Sequence, residues 1–411
     1  MSQAPSTPVQ SRLEFGFMVA ALTIGQGCGT LLTVAMPTIA PAVAESYGVP
    51  VYMIGYQVSL VYLGVMTGLV FGANLSTRWG ACRTTQAGLA LQAIGILLAS
   101  TRQIVLLAPA SAFLGLGYAL LTPASSHLLL RFTPEHRRNL VFSIKQTGVP
   151  LGALGAALTA AGLTLLFGWQ GALWTYAVLV LGVVAAMQWR RERWDDDRYP
   201  NVPLAAKPLA AVGVMWRIPA LRRLSIVGGL LICGQMCMQN FTVVMLFEEL
   251  KMPLVQAGLI LSIAQVGGVS GRLFWGWMAD RSRDCIQVMM LLAGILLCVA
   301  LATATLGPGW PLSAIAVLFF LFGATASGWH GAYLSEAARL SPPGQVSMAT
   351  SGSLLLNNTA AMVTPLIFAG IYTGIHSYAY TFGVLGLPAL ASMLLLWGAR
   401  HATTGARSAT P

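Results

Sequence analysis

Apolar side chains run through this chain in long stretches, and polar ones gather in the gaps between them. Twelve stretches stand out, at roughly 15–42, 51–76, 82–101, 103–131, 139–167, 169–189, 221–250, 254–280, 285–306, 311–339, 344–374 and 377–399. A helix rising about 1.5 Å per residue needs about 20 mostly apolar residues to cross a hydrocarbon layer about 30 Å thick, and each stretch meets that length. Lipid offers no hydrogen-bond partners, so each stretch must satisfy its backbone internally, as an α-helix does. The thinnest divisions fall between stretches three and four and between five and six. The pattern predicts an all-α membrane protein with twelve transmembrane helices.

The longest polar gap, Arg190 to Arg223, falls near the middle. It opens Arg190-Arg191-Glu192-Arg193-Trp194-Asp195-Asp196-Asp197-Arg198 and reads as a solvated linker. The predicted organisation is an N-terminus over 1–14, a six-helix bundle over 15–189, a linker over 190–220, a second six-helix bundle over 221–399 and a tail over 400–411. With both termini cytoplasmic, that side collects Arg12, Arg78, Arg83, Arg131, Arg137, Arg138, the linker arginines, Arg281, Arg283, Arg339, Arg400 and Arg407. The other side holds only Arg102 and Lys251. Loop Lys and Arg stay inside, so this asymmetry sets the orientation. The first stretch is too long for a signal-peptide core and is expected to remain as an uncleaved span.

Composition strengthens this picture. Apolar residues make up 56% of 411 positions and charged residues 9%, against about 25% charged in a soluble domain. The net charge of +11 comes from loop residues, with no basic groove or interleaved aromatics, so nucleic acid is excluded as a partner. The six cysteines, Cys28, Cys82, Cys233, Cys237, Cys285 and Cys298, are scattered and mostly within apolar stretches, which argues against a disulfide framework. Cys233 and Cys237 lie one turn apart without a His or acid beside them and read as small packing residues. No nucleophile elbow, phosphate-binding loop or intramembrane carboxylate pair is visible, so neither an enzyme nor a bound cofactor is expected.

The halves resemble one another. Thr77-Arg78-Trp79-Gly80-Ala81-Cys82-Arg83 follows a stretch rich in glycine (Gly64, Gly68, Gly72), and Asp280-Arg281-Ser282-Arg283-Asp284 follows another (Gly267, Gly268, Gly271, Gly276) at the same place in its half. Such internal repeats mark transporters. Together with the 6+6 layout, these motifs resemble the major facilitator superfamily over essentially the whole chain. Its Gly-x-x-x-Asp-Arg-x-Gly-x-x-Arg signature is similar to Gly276-Trp277-Met278-Ala279-Asp280-Arg281, although Arg283 replaces the later Gly. The first copy keeps Arg78, Gly80 and Arg83 but has Ala73 and Thr77 where Gly and Asp are usual. Gly148-Val149-Pro150-Leu151-Gly152 resembles the family's Gly/Pro-rich fifth helix. The resemblance implies two bundles rocking about a midplane site, with Arg78, Gly80, Arg83, Asp280 and Arg281 as a conformational latch. The antiporter arginine of the fourth helix is missing, although Gly115 and Gly117 remain, which disfavours drug export.

Charges inside spans are costly, at roughly 2.5–3.5 kcal/mol for a basic residue at a helix centre on insertion scales. Arg272 sits eight residues before Asp280, about 12 Å into its helix, and Lys145 sits about 9 Å in from Asn139. Each could instead snorkel to the interface. In the superfamily the helices carrying them face a common cavity, which implies an anion site, and Arg272 resembles the eighth-helix arginine of monocarboxylate and oxalate–formate facilitators. The expected function is secondary transport of a small organic anion, a carboxylate, with Arg272 and Lys145 as counter-charges. The alternative is a facilitator exporting a neutral or cationic compound. Gln146, Gln239, Asn240, Gln265, His330, Tyr62 and Asn357 are the candidate polar neighbours, with Gln26, Gln235, Trp329 and Asn358 behind them. His127, Glu248, Glu249 and Glu336 sit near helix ends or alone and are assigned no coupling role. The expected surroundings are a bacterial inner membrane holding a multi-pass monomer, with a small-molecule solute, a possible coupling proton and lipid as its partners, and no metal.

Overall fold

The computed structural model describes residues 12–71, 75–133, 141, 144–199, 201, 208–282, 284–307, 309–341 and 346–408. Gly72, Ala73, Arg137, Arg138, Asn139 and Arg283, which entered the sequence reading, lie outside them, as do the side chains of Arg12, Asp280, Arg400 and Arg407. Among the described residues every regular element is helical.

Among the described residues, ten helices are long and apolar enough to cross a membrane. Two further observations bring the count to the predicted twelve. Residues Ile144–Gln188 form a stretch of 45 residues, too long for one crossing. Gly168, at φ 72° and ψ 166°, breaks it in two. The other addition is Ala81–Ala99, where Thr84, Thr85, Gln86 and Gln92 interrupt the apolar run but are buried within the protein.

The twelve are α1 (Arg12–Thr38), α2 (Ile54–Phe71), α3 (Ala81–Ala99), α4 (Ile104–Phe132), α5 (148–167), α6 (169–188), α7 (Pro219–Glu248), α8 (Leu254–Ser282), α9 (Cys285–Thr303), α10 (Leu312–Ala326), α11 (Val346–Ile375) and α12 (Gly386–Ser408). Shorter helices at Ala40–Tyr47, Leu75–Trp79, Arg191–Trp194, Pro208–Arg217, His330–Leu340 and Tyr378–Val384 connect or extend them. Outward-facing apolar side chains such as Leu165, Leu166, Val178 and Leu273 are at least 70% exposed. Hydrocarbon, not water, suits such a surface.

Contacts divide the chain into two compact units. The first holds Met1–Thr33, Leu63–Ala156 and Gln170–Ala206, and the second holds Val34–Tyr62, Ala157–Trp169 and Lys207–Pro411.

Within the first unit, contacts fix the direction of every helix. Gly25 faces Thr85 and Leu89, and Gln92 Nε2 donates to Gly29 O and Thr33 Oγ1, so α1 and α3 run parallel. Gly148 lies on Thr23 and Gly152 on Gly27, which sets α5 parallel to α1. Gly88 meets Gly117 while Gly95 meets Ala110, making α4 antiparallel to α3; Gly64 on Ala112 and Gly68 on Leu116 make α2 parallel to α4. Trp174 Nε1 donates to Ser100 Oγ and Gln86 Nε2 to Val184 O, so α6 opposes α3. Odd helices run one way and even helices the other, as successive crossings require.

The second unit alternates in the same way. Ser225 meets Ser353, Gly229 meets Ala360 and Phe241 stacks on Phe368, so α7 and α11 are parallel. Gly267 on Phe320 and Gly271 on Ala324 make α8 and α10 parallel. Gly294 on Met393 and Gly386 on Leu297 make α9 and α12 antiparallel.

Two expectations need correction. The stretch expected as one helix over 311–339 is broken at Ser327–Trp329, with α10 ending at Ala326 and helix resuming at His330. The charged run expected to be a solvated linker is docked on the first unit, with Trp194 and Asp195 both buried. The physical reason for the docking is that Asp195 accepts the backbone N–H groups of Cys82 and Arg83 at the start of α3.

Glycine contacts hold the helices together in both units, and a Cβ at Gly152 would stand 2.0 Å from Gly27 O. Gly152→Ala is therefore expected to destabilise by about 1–3 kcal/mol through forced overpacking. Gly162→Ala, with nothing within 4 Å of its Cβ, should leave the melting temperature of the solubilised protein unchanged, and equal melting of the two variants would contradict this packing.

Candidate functional site

Close approach of α1 and α5 sets up the first cationic locus. Gly148 and Gly152, four residues apart, let the two backbones meet over Gly27. That brings Lys145, just before α5, onto Gln26 of α1. Lys145 is buried, and its Nζ donates to Gln26 Oε1 at 2.8 Å and to Gln146 Oε1 at 3.4 Å. Thr122 Oγ1 of α4 donates to the same Gln26 oxygen at 3.4 Å. No carboxylate among the described residues forms an ion pair with Lys145. The snorkelling alternative fails for this residue, because its amine turns inward to an amide.

In the second unit Gly267 and Gly271 again bring two helices together, here α8 and α10. The break in α10 leaves backbone carbonyls without helical donors, and side chains supply them instead. Arg272 Nε donates to Ser327 O at 3.1 Å, Trp275 Nε1 to Ala324 O at 3.0 Å and Trp329 Nε1 to Ala326 O at 3.0 Å. His330 Nδ1 lies 3.4 Å from Ser327 O, which a carbonyl acceptor reconciles only with a proton on Nδ1. Its ring stacks on Trp329 at 4.0 Å. Arg272 and His330 thus meet on one carbonyl, with Arg272 half-buried.

The other predicted residues divide between these clusters and elsewhere. Gln146 touches Lys145 but is itself exposed. Gln265 lies buried two turns before Arg272 on α8, with Nε2 lacking a partner among the described residues. Asn240 is turned back to Met236 O of its own helix at 2.7 Å. Asn357 borders a polar knot that sequence reasoning missed, in which Tyr333 OH and Ser225 Oγ both meet Ser353 Oγ. Small hydroxyls carry no charge signal in sequence, so only the fold brings this knot into view. Tyr62 and Gln239 are half-buried on α2 and α7. Of the latch residues, Gly80 has φ 101° and Arg83 N–H meets Asp195; Arg78 is half-buried, and the Arg83 and Arg281 side chains are exposed.

His127, Glu336 and Glu249 prove to be engaged. His127 Nε2 lies 2.9 Å from Asp197 Oδ2, and Glu336 is buried and pairs with Arg339. Glu249 accepts from Tyr378 N and Ala379 N, capping the helix that begins there. Glu248 lines a cavity of about 580 Å³ within the second unit, with Glu45, Tyr52, Phe247, Tyr372 and His376.

Twelve alternating helices, each unit with a basic side chain inside the helical packing, define a multi-pass membrane transporter. Residues 15–337 match the Major Facilitator Superfamily, and the chain belongs to that superfamily. It is 25% identical over 410 residues to the 4-hydroxybenzoate transporter PcaK of Pseudomonas aeruginosa, covering 91% of this chain and 90% of that protein. It is 24% identical to the 3-(3-hydroxy-phenyl)propionate transporter of Escherichia coli, over 62% of this chain and 63% of that one. The crystal structure of peptide transporter POT in complex with sulfate matches with a TM-score of 0.75 at 18% identity, over 96% of each chain, a likeness of fold. The family and these relatives are transporters, not enzymes.

Gln26→Leu strands the Lys145 amine and is expected to lower stability by about 1.5–3 kcal/mol. Adding Lys145→Met should recover most of that loss in the melting of the solubilised protein. Strictly additive losses would show that the two side chains do not interact.

Proposed function

We propose that this chain is a secondary transporter of a small organic carboxylate, an aromatic acid foremost. It works by alternating access of two six-helix bundles, 15–189 and 221–399, in a bacterial inner membrane with both termini cytoplasmic. The observation that carries this reading is the buried Lys145 amine, whose described acceptors are the amide oxygens of Gln26 and Gln146. An ammonium has three donors. Two amide oxygens leave one donor and the whole charge for an anion, and a charge-assisted bond to carboxylate is stronger than a bond to a neutral oxygen. The names of the two relatives, both transporters of aromatic acids, support the same class.

Arg272 contributes the second positive charge and steadies the break in α10 through Ser327. The solute is the only partner this reading requires besides lipid, and a proton gradient is the driving force to be tested.

A second reading, export of a neutral or cationic compound, draws on the cavity lined by Glu45 and Glu248.

Uptake of radiolabelled 4-hydroxybenzoate into proteoliposomes, with and without an imposed proton gradient, separates the two. Lys145→Gln is expected to raise KM by roughly tenfold or more, the loss of one charge-assisted bond. Arg272→Ala is expected to abolish uptake in a protein that still elutes as a folded species. Unchanged uptake by Lys145→Gln removes the anion site, and export of an organic cation in place of acid uptake establishes the second reading.

A further inference from the structure

The two repeated hairpins cap their third helices by different means. α9 begins after Asp284, whose Oδ1 accepts from Gln287 N at 3.0 Å, a local N-cap. α3, at the matching place in its half, begins after Gly80, which has no side chain to cap with. Its first amides are satisfied from the linker instead. Asp195 Oδ1 accepts from Cys82 N at 2.7 Å and Oδ2 from Arg83 N at 3.0 Å, across 113 and 112 residues of chain.

Gly80 is part of this device. Its φ of 101° disfavours other residues, and a Cβ there would stand 2.2 Å from the Asp195 Cγ. Burial pushes the Asp195 carboxyl up, while the Cys82 and Arg83 amides and the charges of Arg191 and Arg198 pull it back down.

Around Asp195 the linker is fastened at four more points. Trp194 is buried against Phe17 of α1, with ring centroids 6.0 Å apart. Tyr199 N donates to Thr77 O at 2.9 Å. Asp196 and Asp197 pair with Arg131, and Asp197 also with His127, at the end of α4. Arg190 and Arg193 pair with Glu14 at the start of α1. Exposed pairs such as these contribute little each, so the buried carboxylate is the central fastening.

We propose that Trp194–Tyr199 is a docked clasp of the first unit and that Asp195 is a positioning residue of the transport cycle. It ties the starts of α1 and α3 and the ends of α4 and α6 into one body. It supplies from the linker the capping carboxylate that this half lacks at Gly80, where the other half has Asp284. Lys145 and Gln26 take no part in the clasp, so releasing it slows turnover and leaves solute affinity intact.

Cys82 reports on the clasp directly, since its thiol is buried beside Asp195 and faces Met187 O at 3.6 Å. In a variant keeping Cys82 as its sole cysteine, maleimide alkylation in membranes is compared for the parent, Asp195→Asn and Gly80→Ala, alongside 4-hydroxybenzoate uptake. Both substitutions are expected to speed alkylation by roughly tenfold, the weight of one lost cap. They should also lower Vmax without moving KM. Cys82 staying as protected as in the parent in both variants overturns the clasp. Faster alkylation with unchanged Vmax, or a shift confined to KM, overturns the positioning role. Failure of the parent protein to take up 4-hydroxybenzoate counts against the proposed function, and alkylation then decides the clasp.

Discussion

The amine of Lys145 lies inside a membrane protein with amide oxygens as its described acceptors, and the functional account depends on that contact. A basic side chain taken out of water is costly, and Lys145 is buried at the start of its span rather than at the centre. A hydrogen bond to a charged group returns about 1.5–3 kcal/mol. On the proposed function, these amide acceptors leave the charge of the amine for an arriving carboxylate. A carboxylate built into the protein at the same place would have neutralised the charge permanently and left nothing for a solute to gain.

Contact between Lys145 and Gln26 depends on how closely two backbones approach. Gly27, Gly148 and Gly152 remove the side chains that would keep α1 and α5 apart, and Gly267 and Gly271 do the same for α8 and α10. In lipid, where apolar side chains gain nothing by leaving solvent, such close packing supplies much of what holds helices together. It also explains how α10 tolerates a break at membrane depth. The carbonyls of Ala324, Ala326 and Ser327 receive donors from Trp275, Trp329 and Arg272, so these three groups do not meet hydrocarbon bare.

Much of this fold is legible in the residue order, because crossing a bilayer imposes a length and an apolarity that few other folds demand. The twelve stretches follow from those two demands. The third helix was visible as a span although Thr84, Thr85, Gln86 and Gln92 interrupt its apolar run. The break at Ser327–Trp329 was hidden, since Gly328 is one glycine among 44 and nothing in its immediate sequence marks a helix end. The docked linker was hidden for a different reason. Three consecutive aspartates read as a solvated run, and only the fold reveals that one of them finds two amides more than 110 residues earlier in the chain. Arg272 stood out in the sequence as a charge within a span, but its contact with a backbone carbonyl depends on a helix break that the pattern does not announce.

The most direct test of the central claim compares two ligands of one shape and different charge. The affinities of the purified protein for 4-hydroxybenzoate and for 4-hydroxybenzamide can be measured by calorimetry, in the wild type and in Lys145→Gln. The account predicts that the wild type favours the acid by roughly tenfold or more and that Lys145→Gln favours neither. Equal binding of the two ligands by the wild type, or a preference for the acid that survives in Lys145→Gln, would contradict it.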